Sequence, residues 1–435
     1  MIRALDPAER FIWLLDCISC ANFVTLAELA GQPVDEETLR RGLDRLQANH
    51  PLLSARVVEA DDGTVAFYRE EGARIPLHVE ERSENDWQAP IEAEFNARFD
   101  DPGRPLMRCN LLNLPDRSVL ALTFHHAIAD GRSAFVLLYD LLRFCLRGTD
   151  ETTPQGVPPP LHSLFPPEFR WKDHPEKAAE LAQQMMGELF RHGPPAELPF
   201  LCHEEPTRKP RLKQIRLDAA QGRQLLERCR AEGASVHGAI CAAQLIATRN
   251  LFENEDARTL YLMCPADIRP YLTSDMGEQL SFCTTFLRST YRIESQPAFW
   301  SLAREIGGDL KHRLQRGDGH LTYASLPLDQ IGSSGPAFDA FAASVDQLPA
   351  GSNISNVGRM PTLEDCPEVI SISGALCSLP RHLASLNVSS YKDELIINMT
   401  FDAAKFAPEM ADLLAGNLQD LLGKASVERE TGAAI

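Results

Sequence analysis

The sequence predicts an α/β fold, of the α+β kind, divided into two domains. Three observations carry this. A chain of 435 residues with 44% hydrophobic content exceeds one ordinary core and suits two units of roughly 200 residues each. Short apolar or alternating runs typical of strands recur between runs of helical period. Prolines crowd the middle of the chain, where a stiff crossover is expected rather than a packed element.

Each element has a local reason. Leu39, Leu43 and Leu46 form an apolar stripe beneath Arg40, Arg41 and Arg45, which predicts an amphipathic helix over 35–49. It ends at Asn49-His50-Pro51, because proline pushes the residue before it out of the helical region, and a strand is expected over 52–57. Residues 118–124 read as a half-buried strand, and Ala134, Phe135, Leu137, Leu138, Leu141, Leu142 and Cys145 place a helix beginning near Gly131. Pro154, Pro158, Pro159, Pro160, Pro166 and Pro167 stiffen the connection that follows. A helix over 176–191 and a second proline-rich stretch over 194–210 come next. The second half opens with a strand at 212–217 and helices at 219–232 and 235–249, the latter capped by Ser235. It closes with a strand at 394–402 and a helix at 407–422. The expected division is therefore 1–175, a linker over 176–210, and 211–435.

Composition narrows the function. A formal net charge of -18, dispersed rather than gathered in tails, argues against nucleic acid or an anionic membrane as a partner. Acidic residues interrupt any leader-like pattern in the first ten residues, and no apolar run approaches spanning length, so a cytoplasmic protein without a transmembrane segment is expected. The 11 cysteines are odd in number and scattered through apolar segments, which reads as reduced core residues. Cys17 and Cys20 form a Cys-x-x-Cys, but no second pair follows at zinc-ribbon spacing, and no metal site is expected.

The most informative stretch is His125-His126-Ala127-Ile128-Ala129-Asp130-Gly131, at the seam between the strand at 118–124 and the helix after it. A loop pinned by rigid elements can hold a histidine in one orientation toward a substrate, and histidine titrates near neutrality. A structural reading stands beside this one, in which an imidazole packs, Asp130 caps the helix and Gly131 relaxes the turn.

His-His-x-x-x-Asp-Gly in this setting resembles the signature of the acyltransferase superfamily. It includes the condensation domains of nonribosomal peptide synthetases, polyketide-associated acyltransferases, alcohol O-acetyltransferases, wax ester synthases and, more distantly, chloramphenicol acetyltransferase. The run Asn49-His50-Pro51-Leu52-Leu53 is similar to the family's early helix-to-strand junction, where His50 is structural. The plant branch's Asp-Phe-Gly-Trp-Gly is absent. The resemblance implies two chloramphenicol-acetyltransferase-like subdomains, each a mixed sheet covered by helices, with the active site in a tunnel between them. It implies His126 as general base, His125 as a buried residue holding the loop, and an arginine pairing with Asp130. Arg269, in Asp267-Ile268-Arg269, matches that arginine.

Two further segments resemble the family. Residues 275–286 are similar to a strand bordering the tunnel, with Ser281 and Thr284 as expected lining residues or, equally, as ordinary polar residues of a strand. Ser352-Asn353-Ile354-Ser355-Asn356-Val357-Gly358 resembles the Ser-Asn-x-Gly segment of the O-acyltransferases. There Asn356, beside Ser355, could donate to an oxyanion or position the acceptor, or could simply form a turn.

The resemblance implies transfer of an acyl group from a thioester, either acyl coenzyme A or a phosphopantetheinyl arm on a carrier protein, to a small-molecule hydroxyl, forming an ester in polyketide, nonribosomal peptide or lipid metabolism. No cofactor is needed, and no Gly-x-Ser-x-Gly elbow suggests a covalent nucleophile. An amide-forming condensation enzyme, a hydrolase and a non-catalytic recruitment module of the same fold are the alternatives. A monomer is expected. Arg208, Lys209, Arg211, Lys213 and Arg216, or Arg40, Arg41 and Arg45, could dock an acidic carrier protein, or could be solvated faces.

Overall fold

The computed structural model describes residues 1–83, 86–100, 103–149, 153–171, 173–202, 207–254, 256–324 and 328–427. Residues 203–206 of the expected linker lie outside it. Two large sheets organise the described chain. The first runs, in spatial order, Val369–Leu376, Asn22–Ala30, Arg117–His125, Met107–Asn113 and Leu77–Glu81. The second runs Thr284–Ile293, Arg258–Asp267, Gly351–Arg359, His382–Tyr391, Glu394–Asp402 and Pro210–Leu217. Both are mixed: Leu77–Glu81 lies parallel to its neighbour in the first, and Gly351–Arg359 lies parallel to both of its neighbours in the second. A three-stranded sheet of Arg3–Ala4, Val65–Arg69 and Ala55–Glu59 flanks the first half.

The halves exchange chain. Val369–Leu376 belongs to residues 211–435 by sequence, yet it pairs antiparallel with Asn22–Ala30 at the edge of the first sheet. Phe282, Tyr323, Phe341 and Cys366 likewise pack in the first core. The second core holds the helices Ala219–Ala231, Val236–Arg249 and Pro408–Val427 against its sheet.

Local chemistry sets the boundaries. Asp35 caps the helix Glu36–Asn49 by accepting from the Thr38 N–H. After it, the expected strand starts three residues late: Pro51–Ser54 is a single 3₁₀ turn, with proline in its first turn, and the strand is Ala55–Glu59. Proline suits a helical first turn, where its missing N–H is no loss. Ser235 caps the helix Val236–Arg249 through the Gly238 N–H, as the sequence indicates.

That helix crosses Phe299–Arg316 so closely at Gly238 that a Cβ there would stand 2.3 Å from the Ala303 carbonyl oxygen. Helix propensity alone favours alanine over glycine by about 0.8–1.0 kcal/mol. The backbone clash should reverse the sign, with Gly238→Ala destabilising by about 1–3 kcal/mol. Thermal unfolding should show a lower Tm for the variant; a Tm equal to or above that of the parent would show that the crossing is looser than this.

Candidate active site

The strand Arg117–His125 and the helix Gly131–Arg147 are the rigid ends of the motif loop. His126 is held in place from several sides. Its backbone N–H donates to the Ala21 carbonyl at 3.2 Å, its ring lies 4.5 Å from that of Phe23, and it meets Phe282 edge-on at 5.2 Å. The Nδ1–H donates to the Ala129 carbonyl at 2.7 Å. A carbonyl can only accept, so this bond fixes the tautomer: the proton sits on Nδ1 and Nε2 keeps its lone pair. Burial lowers the His126 pKa, against the opposing effects of the Ala129 bond and the Asp130 charge, and the net direction is down from 6.5. Among apolar neighbours the imidazolium loses hydration, so the neutral base predominates.

His125 is buried on the opposite side of the strand end. Its Nδ1 accepts the Ala127 N–H at 3.1 Å, which turns its Nε2 toward Asp16 at 3.6 Å. Asp16 in turn accepts the Ala21 N–H at 2.9 Å. Burial raises the Asp16 carboxyl, but His125, the Ala21 N–H and Arg98 outweigh it and hold the group below the ordinary range. His125 therefore sits inside the packing, tied to the segment that also holds His126. Asp16 is absent from the sequence reading, although it is the one charged residue in the run Phe11–Ile18, and that was a signal.

Asp130 both caps and latches. Its Oδ1 accepts the Ser133 N–H at 3.0 Å, capping the helix. Its Oδ2 accepts from Arg269 at 2.7 Å and from the Cys283 N–H at 2.8 Å, and the second Arg269 nitrogen reaches Oδ1 at 3.2 Å. Burial would raise the Asp130 carboxyl; Arg269 and the two backbone donors outweigh it and hold it low. Arg269 also donates to Asp267 at 3.0 Å and to the Ser281 hydroxyl at 3.1 Å. Gly131 is not a turn-relaxing residue with positive φ: it is the first residue of the helix, and a Cβ there would stand 3.0 Å from Val357 Cγ1 on the strand Gly351–Arg359.

Ser281 does not line the space before His126. It is buried at 4% exposure, and its carbonyl accepts from the Asp130 N–H at 3.1 Å and the Ser133 hydroxyl at 3.0 Å. The expected strand over 275–286 begins only at Thr284, because the preceding backbone is bound to the motif loop instead of a neighbouring strand. Thr284 does face the cavity. Ser355 and Asn356 face it as well. The Asn356 Oδ1 accepts the Gly358 N–H at 2.8 Å, at an irregularity in the strand pairing where Gly358 has φ +82°. Both readings of Asn356 therefore meet: the turn is present, and by occupying Oδ1 it orients the side chain and leaves the Nδ2 amide as the donor.

The cavity has a volume of about 680 Å³ and lies between the sheets. Phe23, His126 and Phe135 form one wall, and Asp267, Thr284 and Asn356 the other. It is large enough for a small-molecule substrate.

The basic cluster at 208–216 is engaged by partners from other segments of the fold. Arg208 donates to the Cys377 sulfur at 2.9 Å and to the Ser378 carbonyl at 2.8 Å. Arg211 pairs with Glu92 at 3.4 Å, Lys213 with Asp412, and Arg216 with Glu28 and Glu394. The acids come from distant segments, and Arg211, Lys213 and Arg216 keep part of their side chains exposed. Among the described residues, no helix is long and apolar enough to cross a membrane.

Residues 20–253 match the condensation-domain family, and residues 206–400 match the C-terminal region of phthiocerol/phthiodiolone dimycocerosyl transferase. The chain belongs to the condensation-domain family, a family of acyl-transferring enzymes. Phosphinothricin tripeptide synthetase PhsC of Streptomyces viridochromogenes is 32% identical over 171 residues, 36% of this chain and 15% of that protein. Nonribosomal peptide synthetase kk1B of Curvularia clavata is 28% identical over 182 residues, 41% of this chain. The chain thus spans a small part of these curated relatives, 15% and 1% of their lengths. Polyketide synthase associated protein 5 from Mycobacterium tuberculosis has the same fold, with TM-score 0.66, 18% identity and 98% of each chain covered. So does trichothecene 15-O-acetyltransferase from Fusarium sporotrichioides, with TM-score 0.71, 14% identity, and 97% of this chain and 95% of that one covered. Two chloramphenicol-acetyltransferase-like subdomains are the architecture.

Two outcomes follow from the site. Asp130→Asn and Arg269→Ala should each cost about 3–5 kcal/mol, because each leaves a buried partner uncompensated. In denaturant unfolding, the double variant should lose clearly less than the sum of the singles; strict additivity would show that the pair does not act as a unit. The pH profile tests the His126 environment. The base must be neutral, and burial depresses its pKa, so kcat/KM should hold level as pH falls from 7 and drop only below 6.5. An acid limb centred above 6.5 would contradict the burial argument.

Proposed function

We propose that the protein transfers an acyl group from a thioester, carried by coenzyme A or a carrier-protein phosphopantetheine, to a hydroxyl, forming an ester. One observation carries the reading: His126 Nε2 is an unprotonated base at a cavity between the two sheets, its tautomer set by the 2.7 Å bond from Nδ1 to the Ala129 carbonyl. Nε2 accepts the acceptor's hydroxyl proton as its oxygen attacks the thioester carbonyl. The Nδ2 amide of Asn356, beside Ser355, donates to the tetrahedral oxyanion. Collapse expels the thiolate, which takes the proton back from the imidazolium, leaving ester and free thiol. The protein's own groups suffice for this sequence, and no cofactor enters it.

The likeness over nearly the whole of both chains to an O-acetyltransferase and a polyketide-associated protein supports a hydroxyl acceptor in polyketide, nonribosomal peptide or lipid metabolism. The matches to peptide synthetases favour a second reading, an amine acceptor and amide product at the same site. An intact histidine motif with His126 at a built cavity favours either over a non-catalytic recruitment module. The eleven cysteines, all free, suit the reducing cytoplasm.

Mass spectrometry of products from a panel of acyl thioesters with alcohols and amines tests the reading. Thioester-dependent ester should form, and His126→Ala should lower the rate by about 10²–10⁴ while the variant stays folded. Amide alone would establish the second reading, and near-normal turnover by folded His126→Ala would remove histidine catalysis.

A further inference from the structure

The cysteines read from sequence as inert packing include a pair that, with one histidine, is arranged as ligands. His237 and Cys241 are four residues apart on the helix Val236–Arg249, so both project from one face of it. Cys264 lies on the strand Arg258–Asp267 beneath that helix. The Cys241 sulfur is 3.5 Å from His237 Nε2 and 3.9 Å from the Cys264 sulfur, and all three donor atoms lie within 4.8 Å of one another. A tetrahedral zinc ion, with Zn–S of about 2.3 Å and Zn–N of about 2.0–2.1 Å, requires edges of about 3.8 Å between two sulfurs and about 3.5 Å between sulfur and nitrogen. The two edges that involve the Cys241 sulfur match those of a tetrahedron face.

We propose that His237, Cys241 and Cys264 bind a thiophilic divalent cation of the zinc class. Charge supports the site. A divalent cation replaces the two thiol protons, which pass to solvent, and the cation with two thiolates and a neutral imidazole has no net charge. Such a group can be held in an apolar core where a bare ion could not. Both cysteines are fully or almost fully buried, at 0% and 2% exposure, while His237 is only half-buried. Three donors meet here among the described residues, which leaves the fourth position of a tetrahedron to a water.

The site is separate from the catalytic cavity but shares an element with it. Met263, Pro265 and Asp267 on the same strand line that cavity, and Asp267 holds Arg269. The cation braces the strand that leads into the Asp130 latch, a structural role. It takes no part in acyl transfer.

The test is titration of metal-free, thiol-reduced full-length protein with cobalt(II), a spectroscopic stand-in for zinc, followed by zinc competition. One equivalent of cobalt should give thiolate-to-metal charge-transfer absorption that zinc abolishes, and zinc at 100 times its Kd should raise the unfolding free energy by about 2.7 kcal/mol, read as an increase in Tm. Cys264→Ala, and independently His237→Ala, at a half-buried position less critical to packing than the two cysteines, should remove or strongly weaken that absorption. Cys366→Ala, a buried cysteine of the other core, should leave it intact. Absence of the charge-transfer band in the parent, or a band unchanged in both Cys264→Ala and His237→Ala, overturns the proposal.

Discussion

A carboxylate almost wholly removed from water ties the two halves of this protein together at the point where its chemistry is set. Asp130 begins the helix that follows the histidine motif, and both of its oxygens are occupied: by the helix N–H of Ser133, by the guanidinium of Arg269, and by the N–H of Cys283. Arg269 and Cys283 come from the second half of the chain. The pair is expensive to bury, and apolar replacements of buried ion pairs are often neutral or stabilising. What the ion pair supplies is direction. A bidentate fork accepts one geometry, so the loop carrying His126 is fixed relative to the opposite cavity wall before any substrate arrives.

The two histidines divide the work through the bonds of their Nδ1 atoms. His126 Nδ1 donates to a carbonyl, which leaves Nε2 as an acceptor at the cavity. His125 Nδ1 accepts from an N–H, which leaves its Nε2 to carry a proton toward Asp16. Neighbouring residues of one type thus reach opposite tautomers, one turned outward to react and the other inward to hold the loop. The exchange of Val369–Leu376 into the first sheet serves the same end, since it joins the halves through backbone hydrogen bonds as well as through the ion pair.

Much of this was legible in sequence, and the remainder failed for a common reason. The pairing of Asp130 with Arg269 followed from the resemblance of the histidine motif and of Asp267-Ile268-Arg269 to the family, and the ion pair is present. The helix Val236–Arg249 and its Ser235 cap, and the strand Glu394–Asp402, followed from period and capping. The place of Ser281 is not legible because its carbonyl makes the bonds to the motif loop, and a carbonyl leaves no mark on residue type. The ion pairs of the basic run at 208–216 are not legible in sequence, because Glu28, Glu92, Glu394 and Asp412 lie far away along the chain. Neither the strand exchange nor the role of Asp16 could be read from periodicity, which records which side of an element faces a core but not which core.

The chemistry of the site rests on His126 being presented as a neutral base with its proton on Nδ1. Nitrogen-15 NMR of histidine-labelled protein at pH 7, with His126 assigned by its absence in a His126→Gln variant, reads that state directly, because the two ring nitrogens give distinct shifts when protonated and unprotonated. The account predicts a protonated Nδ1 and an unprotonated Nε2 for His126. A resonance showing the proton on Nε2, or an imidazolium with both nitrogens protonated at that pH, would contradict it.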